Sequence, residues 1–161
     1  MSKINGGDMI VGLTNLPGYP EIKSDIKIKR AFPGDKKTIM SFIKENFQEN
    51  WAYEAEHSIM QSPGKCFIAT EEGQLIGFAC YDASAKGFFG PIGVLPNKRK
   101  NKVGEALLLR TLNAMSEYGC GYVIIGWVSE AEMFYRKTVK AEYIKGGQPK
   151  NSVYANLIFM K

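Results

Sequence analysis

A mixed α/β or α+β sheet is the fold class this sequence predicts, and three observations predict it. Strand patterns alternate with helical ones from Asp25 onward. A hairpin, KCFIAT and LIGFACYDA around the turn EEGQ, sits mid-chain. YVIIGWV, directly after a helical stretch, is a continuous apolar run bounded by Gly121 and Ser129, the pattern of a strand buried on both faces. The 161 residues suit one domain with a single sizeable core, and 45% hydrophobic with 23% charged residues excludes a disordered tail protein.

In chain order, residues 1–24 are rich in Gly and Pro and predict an irregular arm with at most a short strand; residues 25–161 form the domain. DIKIKRA alternates as a half-solvated strand. After the turn FPGD, Asp35 is a plausible cap for a helix over Lys36–Phe47, whose Ile39, Phe42, Ile43 and Phe47 share one face. A shorter helix follows over Trp51–Met60, then the hairpin, then the strand FFGPIGVL. A helix over Val103–Tyr118 stops at Gly119. Ser129-Glu130-Ala131-Glu132 reads as a capping box opening a helix to about Lys140, and AEYIK and SVYANLIFM read as two closing strands.

No apolar run reaches the roughly 18–20 residues of a membrane-spanning helix, and the start shows no secretion signal. Cys66, Cys80 and Cys120 are odd in number and widely spaced, which suits packing roles in a reducing cytoplasm. His57 is the only histidine, so no multi-histidine metal site is expected; it reads as a surface or lip residue. A net charge of +5 and pI near 9.0 allow an anionic partner without saying which.

The informative segment is VLPNKRKNKVGEALLL: a strand end, a cationic loop, then an apolar helix. Amides in a helix's first turn lack internal partners and carry partial positive charge, so such a terminus flanked by Lys98, Arg99, Lys100 and Lys102 is a plausible pyrophosphate cradle. It lacks P-loop and dinucleotide-fingerprint spacing. The preceding strand holds Pro91 between Gly90 and Gly93, so it is expected to part from a neighbour near Gly90–Val94 and offer unpaired backbone groups to a ligand.

Val94-x-Pro96-x-x-Arg99-x-x-x-x-Gly104, with Ala131-Glu132-Met133-Phe134-Tyr135-Arg136-Lys137 later, resembles the coenzyme A-binding motif and late Phe-Tyr helix of the GNAT superfamily of N-acetyltransferases. The resemblance implies a mixed, mostly antiparallel sheet of six to seven strands with about four helices, splayed between strands four and five, the strand of residues 88–95 being the fourth. It implies acetyl-CoA as cosubstrate, with the backbone of Ile92, Gly93 and Val94 on the pantetheine and thioester. Arg99, Lys100, Asn101, Lys102, Val103, Gly104 and Glu105 are implied at the pyrophosphate, and Tyr135 as the acid for the departing thiolate. Two positions depart from the family pattern: Lys102 stands where its first loop glycine falls, and Val128 where an asparagine is frequent.

Transfer to an amine needs a neutral nucleophile, whereas an alkyl amine has a pKa of about 10.4. Residues Phe88–Leu95 contain no carboxylate, so the base is left among Glu54, Glu56, Asp82 and a water relay. Trp51, Glu54, Asp82 and Phe89 are the candidates for acceptor binding. The expected acceptor is an amine of a small molecule, amino sugar or peptide; a homodimer completing the groove is compatible with the sequence. Two other functions are weighed. One is a CoA-binding domain without catalysis. The other is a nucleic-acid module, disfavoured because the basic residues form one tight turn without an aromatic platform.

Overall fold

The computed structural model describes residues 6–160. Seven strands and four α-helices follow one another as β1 (Gly7–Gly12), β2 (Ile26–Arg30), α1 (Lys36–Asn46), α2 (Glu49–Ile59), β3 (Cys66–Glu71), β4 (Gln74–Tyr81), β5 (Phe88–Val94), α3 (Val103–Glu117), β6 (Tyr122–Val128), α4 (Glu132–Val139) and β7 (Glu142–Tyr143). They form one sheet in the order β2-β3-β4-β5-β6-β1-β7, antiparallel throughout except at the β5–β6 pair. The mixed, mostly antiparallel sheet expected from the sequence is what the chain builds.

Alternation along β3 and β4 divides the core in two. Phe67, Ala69, Ala79 and Tyr81 face the cluster built on α3, with Leu107, Leu108 and Met115. Cys66, Ile68, Phe78 and Cys80 face α1 and α2, with Ile39, Ile43 and Ile59. Cys66 and Cys80 are opposite one another and fully buried. Burial and the neighbouring Cys66 push the Cys80 thiol well above its ordinary range, which suits packing and not reactivity.

Four local expectations change. The N-terminal segment is more than an arm: β1 lies inside the sheet, between β6 and β7, with Met9 and Val11 buried. Its glycines mark close approach, since a Cβ at Gly7 would meet the Gly147 carbonyl oxygen at 2.5 Å. Asp35 does not cap α1; its carboxylate reaches back to the Phe32 N–H at 3.0 Å and the Lys29 ammonium at 2.8 Å. No capping box opens α4, whose N-cap is Ala131 with no side-chain bond. SVYANLIFM forms short 3₁₀ turns, Val153–Asn156 and Ile158–Met160, with the Ser152 hydroxyl accepting from the Tyr154 N–H at 3.4 Å. The first of these turns lies against β6 rather than extending the sheet, with Tyr154 packed directly on Gly126.

Candidate functional site

The site begins where β5 and β6 stop pairing. They share only Phe88 with Ile124 and Phe89 with Ile125. On the other side of β5, Ala79 pairs with Ile92 and Tyr81 with Phe89, so Gly90 and Pro91 together oppose the single Cys80. That bulge bends β5 away from β6, as an interior proline and glycine are prone to do. β6 is diverted in the opposite sense. Its Gly126–Trp127 step opposes the single residue Asp8 of β1, Trp127 sits in the left-handed region at φ 51°, and the Asp8 carboxylate accepts the Trp127 N–H at 2.9 Å. β6 is therefore not buried on both faces: Ile124, Gly126 and Trp127 are partly exposed.

The gap exposes backbone donors. The Leu95 N–H donates to Ile76 of β4 at 2.9 Å, and successive amides of a strand point to opposite edges, so the Val94 and Ile92 N–H groups face the gap. The Val94 carbonyl faces it too, accepting from Arg99 Nε at 3.2 Å. The gap widens into a cleft of about 1080 Å³.

At the β5 exit the cleft meets the cationic loop. Residues Pro96–Asn101 form a 3₁₀ turn, and Lys102 takes φ 59°, ψ 19° before α3 begins. This is the left-handed conformation a glycine adopts freely, so the lysine preserves the backbone path at a steric cost of about 1–2 kcal/mol. Lys102→Gly is expected to raise the unfolding free energy by up to about 1 kcal/mol, the glycine's own entropy offsetting part of the relief. Lys102→Ala keeps the strain and removes only the charge, so thermal unfolding of the pair separates backbone from electrostatics.

Gly104 adds an independent observation. It lies in the first turn of α3, where glycine costs about 1 kcal/mol relative to alanine. A Cβ there would meet nothing closer than the Phe134 ring at 3.6 Å. Neither packing nor backbone geometry requires the glycine, and its lack of a side chain leaves the helix terminus open to the cleft. With Lys100 and Arg99 beside it, this end suits a pyrophosphate.

Most residues singled out in the sequence converge here. Ile92, Gly93, Val94, Arg99, Lys100, Lys102, Gly104 and Glu105 line the cleft, as do Trp51, Glu54, Phe89 and Tyr135. Three do not. Asn101 is outside the lining, and the Val103 side chain is fully buried in the core beneath it, which leaves its backbone at the helix start. Asp82 is buried away from the cleft, bonded to Lys65 Nζ at 2.6 Å and to the Gly87 N–H at 2.7 Å. Lys98 turns away to pair with Glu71, which raises the lysine's pKa. Glu56 approaches Lys36 at 3.9 Å, and the His57 ring donates from Nδ1 to the Ala83 carbonyl at 2.6 Å.

Sequence reasoning missed Trp127, Tyr154, Leu157 and Phe159, all in the lining. Tyr154 rests on Gly126, where a Cβ would sit 2.1 Å from its ring, and its ring meets Phe88 edge to face at 6.1 Å. Burial, followed by the charges of Glu54 and Asp8, raises its phenol pKa. The one available signal was Gly126 inside an apolar strand.

Tyr135 projects from α4 to the cleft, 5% exposed, between Phe89 (centroids 6.2 Å apart) and Phe134 (5.2 Å). Burial alone raises its phenol well above the ordinary value of 10. Glu54, on α2 at the opposite end from the cationic loop, accepts from the Ser84 hydroxyl at 2.7 Å. Burial lifts its carboxyl above the usual range, partly offset by that hydrogen bond.

A sheet parted by two bulges, with a cationic strand-loop-helix turn at one exit, defines an α/β protein with an open cleft between neighbouring strands. The chain belongs to the acetyltransferase (GNAT) family, whose model matches residues 31–138, more than half of it. Its fold is similar to that of a GCN5-related N-acetyltransferase from Sphaerobacter thermophilus, with 20% identity, TM-score 0.68, and 84% of this chain and 47% of that one covered. A GCN5-related N-acetyltransferase from Kribbella flavida matches at 16% identity and TM-score 0.60, covering 86% and 54%. A GCN5-related glucosamine N-acetyltransferase region of a fungal multi-domain β-N-acetylglucosaminidase matches at 14% and 0.64, covering 85% and 20%. The chain thus spans about half or less of the length of these structures. No curated protein matches it. Among the described residues no helix is long and apolar enough to cross a membrane.

Proposed function

We propose that this protein transfers an acetyl group from acetyl-CoA directly to a primary amine of a small molecule, amino sugar or peptide. The observation that supports this most is the parting of β5 from β6 with the Val94 and Ile92 amides turned into the gap, beside a cationic helix terminus. The cosubstrate supplies an acyl thioester. Ile92 and Val94 hold its pantetheine arm by strand-like hydrogen bonds, and the Val94 N–H donates to the thioester oxygen as negative charge develops there, a contribution typically worth about 10²–10³ in rate. Arg99, Lys100, Lys102 and the amides around Gly104 hold the pyrophosphate.

In the balanced reaction a C–N bond forms and the C–S bond breaks. The ammonium loses one proton before attack, the nitrogen loses a second as the amide forms, and the CoA sulfur ends with one of them. Glu54, at the end away from the cationic loop, accepts the first. Its raised pKa makes it a better base than an ordinary carboxylate. Tyr135, a phenol that keeps its proton well past pH 10, donates a hydrogen bond to the departing sulfur; a phenol already holds its proton more tightly than a thiol, and burial widens the difference. It therefore stabilises the thiolate charge first and foremost. Three free cysteines, Cys66 and Cys80 buried and Cys120 partly exposed, suit a reducing compartment, and our reading is a cytoplasmic protein.

The test is an acetyl-transfer assay against a panel of amines, run as a pH profile. kcat/KM is expected to fall as pH drops through the Glu54 pKa, and Glu54→Gln to lower kcat by about 10²-fold and erase that limb. The same substitution is expected not to destabilise the protein at neutral pH. A carboxyl whose pKa is raised on folding stabilises the fold below its unfolded value, 4.5, and loses that stability as pH rises through the folded value. Activity loss accompanied by loss of stability would contradict this role.

A further inference from the structure

We infer that the acceptor end of the cleft is a subsite for a primary amine carried on an apolar body, such as an arylalkylamine, in preference to a polyhydroxylated or polycationic acceptor. This rests on the acetyl-transfer reading above. A second pocket of about 290 Å³ opens off the cleft and shares Asn50, Glu54, Leu157 and Phe159 with it. Its walls come from three separate parts of the chain: α2, the loop after β4, and the C-terminal 3₁₀ turns.

The wall chemistry selects the ligand. Leu157, Phe159, Ala83 and the Tyr53 ring are apolar surface, and Phe159 is 65% exposed, so an apolar body has surface to cover. Glu54 is the one charged residue in the lining. Neighbouring carboxylates on α2 are engaged elsewhere: Glu49 accepts from the Tyr53 hydroxyl at 3.0 Å, and Glu56 lies by Lys36. The cations of the cleft, Arg99, Lys100 and Lys102, are at its far exit. One carboxylate matches one ammonium. A polycation would leave charges without partners, and an amino sugar would press most of its hydroxyls against Leu157, Phe159 and Ala83, with only the Asn50 amide and the Ser84 hydroxyl in the lining to bond them.

Amine binding can be measured by protein-observed NMR titration of the full chain without acetyl-CoA, so the result does not depend on transfer. The probes are 2-phenylethylamine, its uncharged isostere 2-phenylethanol, ethanolamine, and glucosamine. 2-Phenylethylamine is expected to bind at least tenfold more tightly than the other three, with shifts at Glu54, Ala83 and Leu157. Glu54→Gln and, separately, the half-exposed Leu157→Ser are each expected to weaken it tenfold or more. Equal binding of the four probes, tighter binding of glucosamine, or indifference to both substitutions would overturn the inference. Binding as expected, without acetylation by a protein that binds acetyl-CoA, would sustain the subsite and sink the transfer reading.

Discussion

Tyr135→Phe is expected to lower kcat by about 10²–10³-fold while leaving acetyl-CoA affinity within twofold. The aromatic packing against Phe89 and Phe134 survives the change. No hydrogen bond contributes to the raised pKa of the phenol, and no buried side-chain polar atom among the described residues lacks a partner, so its hydroxyl opens on the cleft. Removing such a hydroxyl is close to neutral for stability. Loss of turnover with an unchanged unfolding midpoint therefore separates chemistry from packing. Because the raised phenol stays protonated, Tyr135 also predicts no alkaline loss of activity up to about pH 10. Unchanged kcat in Tyr135→Phe would make the residue a packing tyrosine only.

Asp82→Asn is expected to cost about 3–5 kcal/mol of stability, a large share of the 5–15 typical of a domain. Its carboxylate and the Lys65 ammonium meet at 2.6 Å with their side chains only 8% and 9% exposed. Lys65 also lies 4.6 Å from the Tyr118 ring centroid. Asparagine tolerates the left-handed backbone at residue 82, φ 51°, and can still accept the Gly87 N–H, so the substitution isolates the charge. What remains is a buried ammonium without a counter-charge. Urea unfolding should show a lowered midpoint with an unchanged slope, and Lys65→Met added to Asp82→Asn should recover much of the loss. A cost below about 1 kcal/mol would mean that the pair behaves as a solvated surface bridge.

These two residues also show how far the sequence reaches. The position of Tyr135 at the cleft was legible because the Phe-Tyr pattern lies on one helix, and the β5 gap because proline and glycine inside an apolar strand announce a broken ladder. Asp82 was misread as a possible acceptor contact because its partner, Lys65, comes from seventeen residues away, just before the neighbouring strand β3. Nothing local signals a pairing across strands. The C-terminal stretch shows the same limit. Val153, Tyr154, Leu157 and Phe159 have strand-like composition, yet composition reports a need for contact and not its geometry. They curl over Gly126 because that glycine leaves room for the Tyr154 ring. β1 was hidden for the opposite reason: its flanking glycines, read as irregularity, are what lets the chain pass against Gly147 and enter the sheet.

We propose that the gap between β5 and β6, with the Arg99–Gly104 terminus, holds acetyl-CoA, and calorimetric titration with acetyl-CoA tests it most directly. Arg99 is anchored by Nε to the Val94 carbonyl, which leaves the rest of its guanidinium free for a phosphate. One-to-one binding is expected for the wild type, with affinity lost by at least 10²-fold in Arg99→Glu and retained in Tyr135→Phe. Absence of binding by the wild-type protein at millimolar acetyl-CoA, or equal binding by Arg99→Glu, would contradict it.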